Sequence, residues 1–267
     1  MRKQKEAVAS NTKIAIVFLI FLAVIAGISL IFKIILVVRA GQFDDFGRFT
    51  ISVSDNRSVK VMSLSPGEKT IAIFKLNKSI EFANAGKFLK VPINGFIVSN
   101  SLDMNQNNSA FFLKAILNYN NLQTNLTIID LLRLSFFARS VKDSEINVRE
   151  IAQNLSAAEA DKIVGRQVSD ELMERDSQTI RIINGTDVVG FGNRLARLIT
   201  NMGGNVIIVA TSDSPIKTSE IFYTDKETYT VKKLTKMLKY KSVKESSNAV
   251  SDITITIGED KAGASPF

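Results

Sequence analysis

Hydrophobic positions are distributed very unevenly along the chain. Residues 14–32 form an uncharged run, IAIVFLIFLAVIAGISLIF, and IILVV extends this run beyond Lys33 to Val38. After residue 40 the apolar residues recur at spacings of two, or of three to four, which are typical of strands and helices that bury one face. The pattern therefore predicts one long apolar helix followed by a folded region of mixed α and β structure.

The apolar run is long enough to cross a membrane. A helix rises about 1.5 Å per residue, so about 20 apolar residues span the hydrocarbon core. No face of the run is polar, which argues against a buried core helix. A cleaved signal peptide is the main alternative, because Val38-Arg39-Ala40 resembles a cleavage site. Signal peptides, however, have apolar regions of only about 7–15 residues. We therefore predict an uncleaved transmembrane helix over Ile14–Val38.

Flanking charge predicts the orientation of this helix. The short segment before it, residues 1–13, carries four basic residues and one acid: Arg2, Lys3, Lys5, Lys13 and Glu6. Basic residues next to a span are retained on the cytoplasmic side. We expect a cytoplasmic tail at 1–13 and an extracytoplasmic location for residues 40–267.

The middle of the chain begins with a strand pattern. Val59–Leu64 alternates, Ser65-Pro66-Gly67-Glu68 forms a turn, and TIAIFKL at 70–76 continues, which predicts a hairpin. A third strand is predicted at 91–98, and a polar loop at 99–109.

Helical patterns follow this loop. Phe111–Leu117 starts one helix, and Thr127 with Asp130 forms a capping box that opens another, ending near Val141. Ser156 and Glu159 form a further capping box, and the polar residues 165–178 are predicted to be a bridge. We assign an α/β domain to 40–155 and a helical linker to 156–177.

The last part of the chain predicts a small domain at 178–260 and a flexible tail at 261–267. Its strands are predicted at 179–183, 206–210 (of a buried type), 220–223 and 253–257. One helix buries Phe191, Leu195, Leu198, Ile199 and Met202 and ends at Gly203-Gly204; the other buries Val231, Leu234 and Leu238. Asn193, Arg194 and Arg197 lie on the opposite face of the first helix, so Arg197→Asp is expected to be tolerated. The β-α-β-β-α-β order fits a small sheet with both helices on one face, and residues 178–260 are expected to fold alone.

Composition excludes several kinds of chemistry. The chain contains neither Cys nor His, so disulfides, thiolate metal sites and Ser-His catalysis are absent. Of the net charge of +8, +5 lies in residues 1–39 and +3 in residues 179–267, whereas residues 40–178 carry 16 basic and 16 acidic residues. A nucleic-acid-binding face requires dense basic residues on the folded domain, so we predict no nucleic-acid partner. No metal or cofactor is indicated either.

Three groups of residues are candidate sites. Lys232, Lys233, Lys236 and Lys239 lie on the polar side of the last helix, either as a solvated face that suits the helix dipole or as a polyanion site. Gly185, Gly190 and Gly192 lack the G-x-G-x-x-G spacing of a phosphate loop, which favours turn and packing roles. Asp44 and Asp45 could hold a hard cation, but such a pair is usually only solvated.

The segment from IRIINGT to Gly258-Glu259-Asp260 resembles the LytR C-terminal domain family. That family opens with a strand ending in Asn-Gly-Thr, here Asn184, Gly185 and Thr186, and closes with a strand and tail similar to ITIGED. The resemblance implies a bacterial envelope protein, because this domain often follows a LytR-CpsA-Psr catalytic domain.

The middle region is similar to that catalytic domain. MSLSPGEK at 62–69 matches the family's strand-turn-strand pattern "VSLNPKTK". The family's acidic position then corresponds to Arg57, or to Asp55 if the alignment shifts by two residues, and its catalytic Arg corresponds to Lys78. Lys cannot reproduce the bidentate grip of Arg on pyrophosphate, so the resemblance implies a domain that has lost catalysis.

These observations favour a non-catalytic, single-pass envelope protein that binds or scaffolds cell-wall glycopolymer or an envelope protein partner. The first alternative is a divergent glycopolymer phosphotransferase that uses Lys78 and Asp55. The second is a bitopic assembly protein whose transmembrane helices associate.

A reporter that is active only in the cytoplasm tests the topology. Fused to the C-terminus, it should be inactive, because the basic residues at 1–13 hold the N-terminus inside. The same reporter fused to the N-terminus should be active. Strong activity of the C-terminal fusion would reverse the orientation.

Overall fold

The computed structural model describes residues 2–44, 46–55, 58–76, 82–103, 107–151, 157–245 and 250–263. The chain forms two compact units, residues 1–41 and residues 42–267. The first unit is a single helix, α1 (Arg2–Ala40), which extends beyond the predicted Ile14–Val38 at both ends. Its segment Ile16–Ala40 has 25 residues and a hydropathy of 2.8, which makes it long and apolar enough to cross a membrane.

The second unit is a mixed α/β structure with two sheets, and its first sheet has six strands. These are β1 (Phe49–Ser54), β2 (Val59–Ser65), β3 (Thr70–Leu76), β4 (Gly95–Val98), β5 (Gln123–Thr124) and β6 (Ile146–Ile151), in the order β5-β4-β1-β2-β3-β6. The predicted hairpin is confirmed, since β2 pairs antiparallel with β3 across the Pro-Gly turn. The predicted third strand is shorter than expected and begins at Gly95.

Helices cover both faces of this sheet. They are α2 (Ala85–Leu89), α3 (Asn108–Leu117), α4 (Ile128–Ser140) and α5 (Ala157–Val168). Successive strand residues point to opposite faces. Met62 and Leu64 accordingly pack with α3 and α4, whereas Val59 and Val61 pack with α2 and α5. Both faces of the sheet are therefore buried.

The segment that enters this unit is fixed to the first turn of α4. The backbone N–H groups of Gln42 and Phe43 donate to Asp130 Oδ1 at 2.9 and 3.0 Å. Arg133 donates from Nη1 to the Phe43 carbonyl at 3.1 Å. Asp130 also closes the predicted capping box with Thr127, so one buried carboxylate caps α4 and holds the incoming chain.

The second sheet has five strands. These are β7 (Thr179–Asn184), β8 (Asn205–Thr211), β9 (Glu220–Tyr223), β10 (Lys241–Lys244) and β11 (Ile253–Ile257), in the order β10-β9-β11-β7-β8. Helices α7 (Phe191–Asn201) and α8 (Tyr229–Leu238) bury the predicted apolar faces against it. Strand β10 adds one element to the predicted β-α-β-β-α-β order.

Two expectations for this half of the unit are wrong. Strand β8 lies at an edge of the sheet rather than in its interior, and the side chains of Ile207 and Val209 are 45% and 40% exposed. In the polar segment 165–178, α5 ends at Val168 and α6 (Glu171–Asp176) follows. Arg197 does not face solvent freely. It donates from Nε and Nη2 to Asp161 Oδ2 of α5, at 2.9 and 2.5 Å, so Arg197→Asp would bring two carboxylates together.

Helix α6 extends the core of the second sheet beyond the predicted range 178–260. Met173 is buried in that core, and Asp176 accepts from the N–H and hydroxyl of Thr230 in the first turn of α8. Loss of a buried Met side chain costs about 2–5 kcal/mol, and loss of a helix cap about 1 kcal/mol.

We expect the fragment 169–263 to unfold cooperatively and to be more stable than the fragment 178–263 by about 2–5 kcal/mol. Denaturant unfolding followed by circular dichroism measures the difference. Met173→Ala in the longer fragment should fall between the two. Equal stability of both fragments would show that α6 adds nothing to this core.

Candidate functional site

A buried carboxylate joins the two sheets of the second unit. Asp170, 2% exposed, caps α6 by accepting from the Leu172 N–H through Oδ1 at 3.0 Å. Its Oδ2 accepts from the Arg48 N–H at 3.1 Å and from the Tyr229 hydroxyl at 2.8 Å, and it forms an ion pair with Lys233. We call Arg48, Asp170, Tyr229 and Lys233 the seam network.

Arg48 connects the seam network to the first sheet. Its guanidinium donates from Nε to the Ser169 carbonyl and from Nη1 to the Gln167 carbonyl, each at 2.6 Å, and it pairs through Nη2 with Glu68 at 2.7 Å. Its own carbonyl accepts from Lys233 Nζ at 2.9 Å. Both cations of the seam network are therefore paired with carboxylates.

Burial sets the protonation of the other two polar groups of the network. It raises the pKa of Tyr229, and the neighbouring charge of Asp170 raises it further, so the hydroxyl stays protonated and donates. Burial lowers the pKa of Lys233, and the contact with Asp170 opposes that shift. The carboxylate of Asp170 is thus what keeps a cation stable at this position.

Glycine is required where the chain passes this network. A Cβ atom on Gly47 would lie 1.5 Å from the Tyr229 hydroxyl oxygen and 3.2 Å from an Asp170 oxygen. Any side chain at position 47 would displace Tyr229, so the packing of the seam network requires glycine there.

A cavity of about 700 Å³ lies beside the seam network. Its polar lining comes from both halves of the unit and comprises Gln42, Asp44, Arg48, Asn94, Asn125, Tyr229, Lys232, Lys233, Lys236 and Lys239. Phe46, Phe49, Pro92, Ile93, Leu198, Met202 and Met237 supply the apolar part of the lining. Such a mixed lining suits a polar ligand that also has apolar parts.

The structure brings the four predicted lysines to this one cavity but divides them into two kinds. Lys233 is held in the seam network with a side chain only 13% exposed. Lys232, Lys236 and Lys239 are exposed, and they take part in none of the ion pairs found among the described residues. Only these three are therefore available to an external anion.

Asn184, Gly185 and Thr186 form a tight turn. Asn184 Oδ1 accepts from the N–H and hydroxyl of Thr186, at 3.2 and 2.8 Å, and Asn184 Nδ2 donates to the Val188 carbonyl. A Cβ on Gly185 would lie 2.5–2.7 Å from three atoms of Ile216. These contacts involve the protein alone and describe a turn.

The remaining candidates lie apart from the cavity or outside the described residues. Asp55 Oδ1 accepts from the Ser58 N–H at 2.6 Å, which makes it part of a loop turn. Lys78 and Arg57 lie outside the described residues, and so does Asp45, whereas Asp44 lines the cavity. Within the described ranges, no cluster of three or more acidic side chains could hold a metal.

Sequence reasoning missed Arg48, Asp170 and Tyr229. Asp170 had a usable signal, because an Asp directly before the helical run ELMERD is typical of an N-cap. Arg48 and Tyr229 had none, because their roles depend on contacts across 122 and 59 residues of sequence.

The comparisons with known proteins assign a family to the last part of the chain. Residues 177–260 match the family model described as LytR cell envelope-related transcriptional attenuator, so the resemblance of the Asn-Gly-Thr strand is confirmed. The match covers all five strands of the second sheet together with α7 and α8. It supports a cell-envelope protein.

Solved structures with a distant likeness come from bacteria. The transcriptional regulator yvhJ from Bacillus subtilis is 12% identical, with a TM-score of 0.35 over 45% of this chain and 95% of that chain. Lin1025 from Listeria innocua is 12% identical, with a TM-score of 0.28 over 39% and 82%. TagV from B. subtilis is 9% identical, with a TM-score of 0.29 over 44% and 90%. A search of curated proteins found no match.

Replacement of Asp170 tests the seam network. Asp170→Asn should destabilise the second unit by about 3–5 kcal/mol, because it leaves the buried Lys233 cation without a counter-charge. Denaturant unfolding of the full chain in detergent measures this change. Asp161→Asn, which breaks the partly exposed pair with Arg197, should cost about 1 kcal/mol or less.

Lys233→Met in the Asp170→Asn background should recover most of the loss, because the unpaired charge is then removed. If Asp170→Asn costs no more than Asp161→Asn, the seam network does not hold the two sheets together.

Proposed function

We propose that this chain is a single-pass envelope protein whose outer unit binds an anionic cell-wall glycopolymer without catalysis. The N-terminus is cytoplasmic, and residues 42–267 lie on the outer side of the membrane. The apolar helix and the envelope-related family match support the location. The lysine-lined cavity beside the seam network is the observation that supports an anionic ligand.

The spacing of the exposed lysines suits an extended anion. Lys232 and Lys236, four residues apart, form a line along one face of α8, and Lys239 follows at the C-cap directly after Leu238. Adjacent members of such a line are about 5–6 Å apart at Cβ. A polymer with regularly repeated phosphates can contact several of them at once, whereas a single small anion cannot.

The charge balance of the cavity favours an anion. Arg48 and Lys233 are already paired with Glu68 and Asp170. Three exposed lysines then face one lining carboxylate, Asp44. The excess is positive, and it lies at a surface that a diffusing polymer can reach.

The polar and apolar residues around the lysines suit a glycopolymer better than an inorganic chain. Asn94, Asn125 and Gln42 give the lining a polar part, and Phe46 is 75% exposed at the same cavity. Sugar units between phosphates present hydroxyls together with apolar C–H faces.

Binding of a phosphodiester-linked glycopolymer to the full chain in detergent tests this proposal. Replacing Lys232, Lys236 and Lys239 together with Gln should weaken binding by about 1–3 kcal/mol, or about 5- to 150-fold in Kd. Added salt should weaken binding to the unmodified chain, because exposed charges are screened. Titration calorimetry or fluorescence anisotropy measures both effects.

The matched control replaces Lys217, Lys241 and Lys244 with Gln. These exposed lysines lie outside the cavity lining, and the change in net charge is identical. An equal loss in both triple variants would mean that net charge, not the cavity, attracts the polymer. Release of lipid phosphate from a lipid-pyrophosphate-linked sugar would instead favour the phosphotransferase alternative.

A further inference from the structure

Helices α3 and α4 present an unusual number of large apolar side chains to solvent. On α4, Ile128, Leu132 and Phe136 are 46%, 41% and 65% exposed, and they are spaced by four residues. On α3, Leu113 and Leu117 are 48% and 84% exposed at the same spacing. Residues four apart share one helix face, so each helix carries an apolar stripe on its outer side.

These stripes are additional to the faces that build the core. α4 already buries Leu131, Leu134 and Ala138 beneath the sheet, and α3 buries Phe111, Phe112 and Ala115. The two helices pack side by side, with the Ser109 and Ser135 hydroxyls 3.4 Å apart. Beyond the helix ends, the Tyr119 hydroxyl donates to the Leu126 carbonyl at 2.9 Å. Both outer stripes therefore lie on one helix pair, and solvated helices rarely have two apolar faces.

We propose that the outer unit docks this surface onto the lipid bilayer in which α1 is anchored. We call Leu113, Leu117, Ile128, Leu132 and Phe136 the docking surface. The docking is peripheral, with apolar side chains among the lipid head groups and upper acyl chains, as interfacial helices lie.

The order of the chain connects the outer unit to the anchor by a very short segment. Only Gly41 separates the end of the apolar helix at Ala40 from Gln42. Gln42 and Phe43 are bonded to Asp130, which lies in the first turn of α4 between Ile128 and Leu132. The tether is thus fixed to the buried face of the first turn of α4, whose outer face carries one of the two stripes.

Such a short tether makes a bilayer a better occupant than a soluble protein. A covalently linked surface meets the membrane at high effective concentration, so even weak intrinsic affinity yields docking. Basic side chains border the apolar stripes. Lys114 follows Leu113 on α3, and Arg139 and Lys142 follow α4 toward its end, where they can reach lipid phosphates.

The chain has no Cys, so single-cysteine variants report on individual positions. The full chain carrying Leu132→Cys, labelled with a fluorophore, is reconstituted into vesicles of phosphatidylcholine and phosphatidylglycerol. Quenching by nitroxide attached to lipid acyl chains is compared with quenching by aqueous iodide. Thr211→Cys, on an exposed position of β8, is the matched control.

Docking predicts several-fold stronger lipid quenching at position 132 than at position 211, with iodide quenching reduced by a similar factor. Adding Ile128→Asp and Phe136→Asp should remove most of this difference. Both positions are exposed, and circular dichroism checks that the fold is retained.

Two outcomes would overturn the proposal. Equal quenching at positions 132 and 211 by both reagents would mean that the docking surface stays in water. Protection from iodide without lipid quenching, lost when the vesicles are diluted with lipid, would assign the surface to a second copy of the chain.

Discussion

The rest of the second unit depends on one buried carboxylate. Asp170 caps α6, receives the backbone of the entering chain at Arg48, and neutralises Lys233 on α8. A buried ion pair contributes little net stability compared with an apolar replacement, but losing one partner is costly. The main effect of the Asp170 carboxylate is therefore to fix the relative positions of the elements that it joins. It fixes α8, and with it the exposed lysines, against the first sheet.

The division among the lysines follows from this geometry. Neighbouring residues in one helix, Lys232 and Lys233, differ in role because the seam network takes up one of them. Lys233 bonds both to Asp170 and to the Arg48 carbonyl, so the network fixes the helix that carries two of the exposed lysines.

Local signals account for the parts of the fold that the sequence predicted well. The hairpin of β2 and β3 has its own turn, and the strands β9 and β11 and the buried faces of α7 and α8 follow regular periods. The errors concern elements whose burial depends on their position in the whole structure. Strand β8 reads as buried, yet the sheet order leaves it at an edge. Helix α6 has a single buried apolar residue, Met173, which is too little for a periodic pattern.

The candidate site was predictable only in part for the same reason. The lysine run is visible in the sequence, and the structure gathers all four lysines at one cavity. The spacing of the lysines does not show which one is paired with a carboxylate, because Asp170, the partner of Lys233, lies 63 residues away. Arg48 shows a similar limit, since its partners at Gln167 and Ser169 are more than 100 residues distant.

These separations in sequence affect how the protein is made. Arg48 leaves the ribosome 122 residues before Asp170. Lys233, whose side chain donates to the Arg48 carbonyl, follows Arg48 by 185 residues. During synthesis Arg48 can pair with Glu68, 20 residues later, but its bonds to Gln167, Ser169 and Asp170 wait for a much later part of the chain. Contacts of such high sequence separation form slowly, and an incomplete chain exposes them to wrong partners. A chain interrupted between α6 and α8 would therefore expose the Asp170 carboxylate without its Lys233 partner, on a surface that only the finished molecule covers.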